Sequence, residues 1–314
     1  MTDGQTDVAH PPTLTILTPT WNRAELLGRL YRSIQDTIPP SADVEWLIVD
    51  DGSTDDTADL VGGWQAAGPL SIRRCAVPHG GKHRALNAGF GQAGGDWILV
   101  VDSDDHFLPG AWQVITDTFA QADRAGAKTV IMPVTVTGAA SQYRFTHSNR
   151  MVSMATRFRS EPPFDSSFAM HRSIAALRFP EFAGEAFMAE GAFFYAMPDD
   201  LGVWLGDTPC VAVEYQPTGL SHTILQQRVS SPRGAMLNAQ ISLRVAERRS
   251  VRLRALANFA RFWWHAVLGG RPTLGPATAI QALMIPLGLP FALADRIKLV
   301  LKGPHIAPAV EEAG

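Results

Sequence analysis

The sequence predicts an α/β fold: a largely parallel sheet covered by helices, followed by a basic helical arm. Three observations predict it. Over the first 140 residues, short apolar runs alternate with segments of helical period. The runs are nearly continuous in apolar side chains, as strands buried on both faces are. Three of them end in polar clusters that a parallel sheet would gather on one rim.

LTILT at 14–18 is the first strand. From Ala24 to Gln35, Leu26, Leu27, Leu30, Tyr31 and Ile34 recur at helical spacing. WLIVDD at 46–51 is a buried strand running into acids. Ser53 with Asp56 three residues on reads as a capping box for a helix from Thr54 to about Ala67. LSIRRCAV at 70–77 is a third strand, followed by a helical pattern over 82–93. WILVVD at 97–102 is a fourth strand, again ending in acids. A helix over roughly 110–125 and the run TVIMPVTV at 129–136 complete the pattern.

The chain has 314 residues, 46% of them hydrophobic and 18% charged, enough apolar content for a core. The net charge of -3 argues against a nucleic-acid binder basic throughout. Two cysteines, Cys75 and Cys210, exclude a disulfide-dense scaffold and a multi-cysteine zinc site. MTDGQTDVAHPP lacks the basic and apolar regions of a signal peptide. The charge is uneven. Residues 244–302 hold ten Arg or Lys and two acids, a balance of +8, which leaves -11 for the rest.

The polar clusters carry the chemistry. Asp102-Ser103-Asp104 sets two carboxylates two residues apart after a strand. Such hard oxygen ligands suit Mg²⁺ or Mn²⁺ shared with substrate phosphates. Of Asp50 and Asp51, one carboxylate is suited to accept from a nucleobase and the other to brace the turn. In HGGKHRALNAG (79–89), Gly80 and Gly81 allow close backbone approach to a ligand. Lys82, His83 and Arg84 then open a helix whose N-terminus would cradle a diphosphate or ribose. No G-x-G-x-x-G follows the first strand, and no G-x-x-x-x-G-K-[ST] occurs.

TPTWNR, VDDGSTDDT, GGKHRALNAG, GGDWILVVDSDD and FPEFAGEAFMAEGAF together resemble a bacterial family 2 glycosyltransferase, over about residues 13–225. The resemblance implies a single Rossmann-like nucleotide-sugar-binding domain of the glycosyltransferase A type. By it, Pro19, Thr20, Trp21 and Asn22 line the nucleoside pocket and Asp51 contacts the base. Lys82, Arg84 and Ser103 complete the donor site, while Asp102 and Asp104 bracket Mn²⁺ or Mg²⁺ and the diphosphate. It also implies an inverting displacement, which needs a general base. Glu190 is the first candidate and Glu185 the second. The family often has an adjacent Glu-Asp pair at this point, whereas Gly191 follows Glu190 here. His222, in a loop the resemblance places over the diphosphate, is a candidate further metal ligand.

Residues 234–268 read as helical, with arginines among Trp, Phe and Leu, as in helices lying on an anionic membrane. The uncharged run Ala277–Ala294 is short for a membrane span and is interrupted by Pro286 and Pro290. Interfacial, packed and spanning arrangements all stay open. The expected organisation is a tail (1–12), a catalytic domain (13–225), a basic apolar helical region (226–302) and a second tail (303–314). The expected activity is transfer from a nucleotide-sugar donor, a UDP-sugar, to a glycan or lipid-linked acceptor in envelope polysaccharide synthesis. The expected location is the cytoplasm, in peripheral contact with the inner face of the membrane. The alternatives are a sugar-phosphate nucleotidyltransferase and a non-catalytic nucleotide-sugar-binding protein.

Overall fold

A computed structural model describes residues 14–68, 70–138, 143–160, 165–214 and 223–302. In chain order the elements are β1 Leu14–Thr20, α1 Ala24–Thr37, β2 Val44–Asp50, α2 Thr57–Ala67, β3 Ser71–Ala76, α3 Lys82–Phe90, β4 Trp97–Val100, β5 His106–Phe107, α4 Ala111–Ala125, β6 Thr129–Pro133 and β7 Thr135–Val136. There follow β8 Arg150–Val152, α5 Met154–Ser160, β9 Ser166–His171, α6 Glu190–Phe194, β10 Val203–Leu205 and β11 Val211–Val213. The arm consists of α7 Ile224–Ser230, α8 Pro232–Val245, α9 Arg249–Leu268 and α10 Ala279–Lys302.

The main sheet runs β3-β2-β1-β4-β9-β6-β10-β8. Its first four strands are parallel, as the buried apolar runs require. β9 lies antiparallel between β4 and β6, and its short segment SSFAMH has no periodicity that marks it in the sequence. Side chains alternate between two cores. Leu14 and Ile16 join Leu27, Trp46, Trp97 and Phe119 on one face. Leu17 joins Leu47, Leu86, Phe90 and Phe193 on the other. Burying each such side chain contributes roughly 1.5–3 kcal/mol.

The expected capping box does not form. α2 starts at Thr57, because Ser53 Oγ instead accepts from the Asn22 amide at 2.9 Å. Asp55 accepts from the Thr57 amide at 3.1 Å and from the Ala24 amide at 3.1 Å. Ser53 thus serves the contact between two rim loops, and Asp55 serves both that contact and the first turn of α2.

α10 continues through Pro286 and Pro290, which the sequence reading treats as interruptions. Packing on α9 holds it. A Cβ on Gly288 would meet the backbone of Ala260 at 2.3 Å, so the two helices touch there. The Trp264 indole N–H donates to the Ile285 carbonyl at 2.7 Å. Asp295 is buried against Arg261 and His265, with His265 Nε2 at 3.0 Å. Burial alone would raise the Asp295 carboxyl, but these two partners hold it below the usual carboxylate range.

The helix is therefore inverted in polarity. Gln281 and Asp295 face inward, while Ile280, Leu283, Leu287, Phe291 and Ile297 are exposed. Among the described residues no helix is long and apolar enough to cross a membrane.

Candidate active site

The parallel strands deliver their C-terminal ends to one rim, and an open cavity of about 1330 Å³ lies over it. Pro19, Thr20, Asp51, Lys82, Asp102, Ser103, Asp104 and Glu190 all line this cavity. Residues from five separate stretches of sequence thus meet in one place.

Asp51 is anchored rather than free. Its two oxygens accept from the Gly80 and Gly81 amides at 2.8 Å each, and His79 Nδ1 lies 2.9 Å away. The amides of the glycine pair, expected to approach a ligand, are thus taken up by Asp51. Gly81 has φ 95°, and a Cβ there would meet the Ala186 carbonyl oxygen at 1.8 Å. That close approach holds the α3 start against the loop leading into α6. Asp50 takes the bracing part, accepting from the Ser53 amide at 2.8 Å and pairing with Arg74 at 2.6 Å.

Lys82 bridges two carboxylates. Its Nζ donates to Asp102 Oδ2 at 2.7 Å and to Glu190 Oε1 at 2.8 Å. Burial by itself would lower the ammonium pKa. The paired charges of Asp102 and Glu190 outweigh it and raise the pKa above the ordinary lysine value. Lys82 stays a cation throughout the working pH range.

Asp104 pairs with Arg23 at 2.7 Å. Asp105 is pushed up to about 8 by burial and then by the neighbouring charges of Asp102 and Asp104. Asp102 Oδ1 is buried and has no hydrogen-bond partner among the described residues. A crowded acidic loop with an orphaned carboxylate oxygen fits a divalent cation. Among the described residues no three His, Cys, Asp or Glu side chains cluster to hold a metal by themselves. The arrangement suits a cation that takes its remaining ligands from substrate oxygens and water.

Three expected residues are not brought to the cavity. Asn22 braces the turn, its Oδ1 accepting from the Thr54 amide at 2.7 Å. Arg84 runs beneath the rim and donates to the Phe182 carbonyl at 2.9 Å. Glu185 is buried. Its oxygens accept from the Arg233 amide at 3.0 Å and the Gly234 amide at 2.9 Å, and Arg233 Nε pairs with it at 3.0 Å. It therefore caps the start of α8. His222 lies outside the described residues.

Sequence reading placed Trp21 in the nucleoside pocket but missed its stacking on His79, at 4.2 Å between ring centroids. Both sit within quoted motifs, so an exposed aromatic beside the strand end was the available signal. It also missed the Arg23–Asp104 pair and the arginines of α7 and α9 that line the same cavity. Their separation in the chain left no local pattern.

The glycosyl transferase family 2 model matches residues 15–179. A curated Campylobacter jejuni protein, GalNAc(5)-diNAcBac-PP-undecaprenol beta-1,3-glucosyltransferase, is 34% identical over 105 residues, covering 32% of this chain and 32% of that protein. The chain thus spans about a third of that relative's length. The structure of Staphylococcus aureus TarS 1-349 in complex with UDP-GlcNAc is similar with a TM-score of 0.57 at 16% identity, covering 90% of this chain and 81% of that one. The mannosyltransferase PcManGT from Pyrobaculum calidifontis, in complex with GDP-Man and Mn²⁺, is similar with a TM-score of 0.53 at 19% identity, covering 94% and 85%. The two structures share the A-type glycosyltransferase fold with this chain, seen in its mainly parallel sheet and helical C-terminal region. The family match takes in more than half of the sequence and holds the strand-end acids of the cavity, and on it the chain belongs to glycosyl transferase family 2.

Proposed function

We propose that the protein is an inverting, metal-dependent transferase that uses a nucleoside diphosphate sugar, specifically a UDP-sugar, to extend a glycan or lipid-linked acceptor of the cell envelope. The observation that carries this is the Lys82 bridge, which sets Glu190 beside Asp102 within one cavity. Asp102 and Asp104 would hold Mn²⁺ or Mg²⁺. When bound, the cation neutralises charge on the departing diphosphate. Nucleotide-sugar complexes of the two structural neighbours, one with Mn²⁺, support the donor class.

The chain's own residues supply the rest. Trp21 and the Asp51 turn border the space for the nucleoside. Lys82 is the cation best placed to move from Glu190 to donor phosphate, which frees Glu190 to act as base. The acceptor oxygen then attacks the anomeric carbon, the carbon–oxygen bond to the diphosphate breaks, and the hydroxyl proton passes to Glu190. Nucleoside diphosphate leaves with its electron pair. Glu190→Gln is expected to lower kcat roughly 10²–10⁴-fold with the fold intact, the range removed with a general base. Glu185→Ala should instead cost about 1–3 kcal/mol of stability, because it leaves the buried Gly234 amide without its acceptor and half-buried Arg233 without its carboxylate. Donor turnover and thermal melting of both variants decide the assignment. Equal turnover by Glu190→Gln and wild type refutes it.

The exposed apolar face of α10 and the ten basic residues of 244–302 support peripheral contact with the inner membrane face. Vesicles containing phosphatidylglycerol should sediment the protein more strongly than neutral vesicles. Leu283→Asp with Leu287→Asp should remove that difference.

A further inference from the structure

The cavity does not end at the donor carboxylates. It extends over α5, α7, α8 and the start of α9, and there its lining changes sign. Arg157, Arg159, Arg228, Arg248 and Arg254 line this part, faced by Glu247 and Asp165 among the described residues. Glu247 is paired with Arg159 at 3.6 Å. Arg157 is buried and lies over the Phe145 ring at 5.5 Å. Arg228 and Arg254 also line a small adjoining recess of about 80 Å³, with Asn238 and Ser242. No acid is paired with Arg228 or Arg254 in the described structure. Two guanidinium groups, a carboxamide and a hydroxyl thus converge on one concave spot. Uncompensated cations in a concavity concentrate anions, and guanidinium forks match phosphate oxygens.

We infer that this arginine lobe is the acceptor subsite and that it binds a phosphate group of the acceptor, with Arg228 and Arg254 as the principal contacts. This rests on the transferase reading above. It goes further by fixing the acceptor's chemical class: an anion bearing phosphate, set in the same cavity as Glu190. Val245 and Val251 border the arginines, so a lipid diphosphate and a phosphate-bearing polymer both satisfy the lobe.

Calorimetry separates the possibilities. In EDTA, wild-type protein is titrated with inorganic pyrophosphate, tripolyphosphate and farnesyl diphosphate, and separately with UDP in the presence of MgCl₂. Pyrophosphate is expected to bind, more weakly as salt rises. The Arg228→Gln/Arg254→Gln pair should weaken pyrophosphate at least tenfold while UDP affinity stays within twofold. The Arg228→Lys/Arg254→Lys pair should recover part of the loss. Tighter binding of farnesyl diphosphate than of either inorganic anion identifies a lipid diphosphate as the source, and tightest binding of tripolyphosphate identifies a phosphate-bearing polymer. If the glutamine pair no longer binds UDP, the single variants carry the test, each expected to weaken pyrophosphate at least threefold. Absence of pyrophosphate binding by wild type, or equal affinity in the arginine variants, overturns the inference. Absence of UDP binding by wild type overturns the donor reading instead, and the two failures are thereby distinct.

Discussion

Asparagine in place of Asp102 is expected to lower donor turnover by roughly 10²–10³-fold, the loss typical of removing one preorganised electrostatic contact to the transition state. Asp102 holds Lys82 through Oδ2 and leaves Oδ1 unpartnered, so the substitution removes the charge that Lys82 pairs with and the charge of the open oxygen. Stability should move the other way. Asp105 is pushed up to about 8 by burial and by Asp102 and Asp104. A carboxyl raised this way keeps its proton in the folded chain while the unfolded chain releases it above about 4. Stability is thus lost as pH rises from about 4 to 8. Removing the Asp102 charge brings the folded value down and shrinks that loss. Melting temperatures of wild type and Asp102→Asn across pH 5 to 8 would check it. A variant with unchanged turnover refutes the role of Asp102, and an unchanged pH slope refutes the account of Asp105.

Gly81→Ala should produce the largest structural loss. Its φ of 95° lies in a region that only glycine occupies readily, and the added Cβ would sit 1.8 Å from the Ala186 oxygen. Strain and overpacking together are expected to cost about 3–5 kcal/mol. Against a total stability of roughly 5–15 kcal/mol, that lowers the melting temperature by about 10 °C. The damage should reach function as well. Gly81 donates to Asp51 and precedes Lys82, so moving it displaces both the Asp51 turn and the Lys82 bridge. Alanine at Gly110 is the natural comparison. It is left-handed, with φ 79° and ψ 4°, and nothing lies within 4 Å of the added Cβ, so only the milder strain of that region, about 1–2 kcal/mol, applies. Equal melting temperatures for the two variants would show that the Ala186 contact is not responsible.

Much of the site was legible because it belongs to strand ends. Parallel strands deliver the residues after their last apolar position to one rim, so Pro19, Thr20, Asp51 and Asp102 to Asp104 could be grouped from the chain alone. Lys82 was legible by the same logic, as the first residue of a helix after a glycine pair. Arg84 was misplaced for a reason internal to helices. It lies two residues beyond Lys82, about 200° around the axis, and its guanidinium turns to the Phe182 carbonyl. Ser53 went astray because capping was read within one helix, whereas its hydroxyl accepts from the Asn22 amide on another loop.

The glutamates show the same division. Spacing separated Glu185 from Glu190 by about 140° and left the choice between them open. Only the fold separates them, by burying Glu185 against the Arg233 and Gly234 amides and leaving Glu190 exposed beside Lys82. The arm divides likewise. Its charge of +8 and its apolar run were evident in the chain. Which side chains face outward was not, because α10 turns Asp295 and Gln281 inward against α9 and exposes its leucines.

The sequence by itself determined the α/β class, the rim of acids and the basic apolar character of the arm. Periodicity and composition are local properties, and each residue carries them wherever it is folded. The tertiary structure alone decided which glutamate is buried and which lines the cavity, which glycine meets a backbone, and which arginines share a cavity with the strand-end acids. Those depend on pairs of residues tens to more than a hundred positions apart, as Lys82 and Glu190 are. Such pairs meet only when two sheet faces and a helical arm have closed around them.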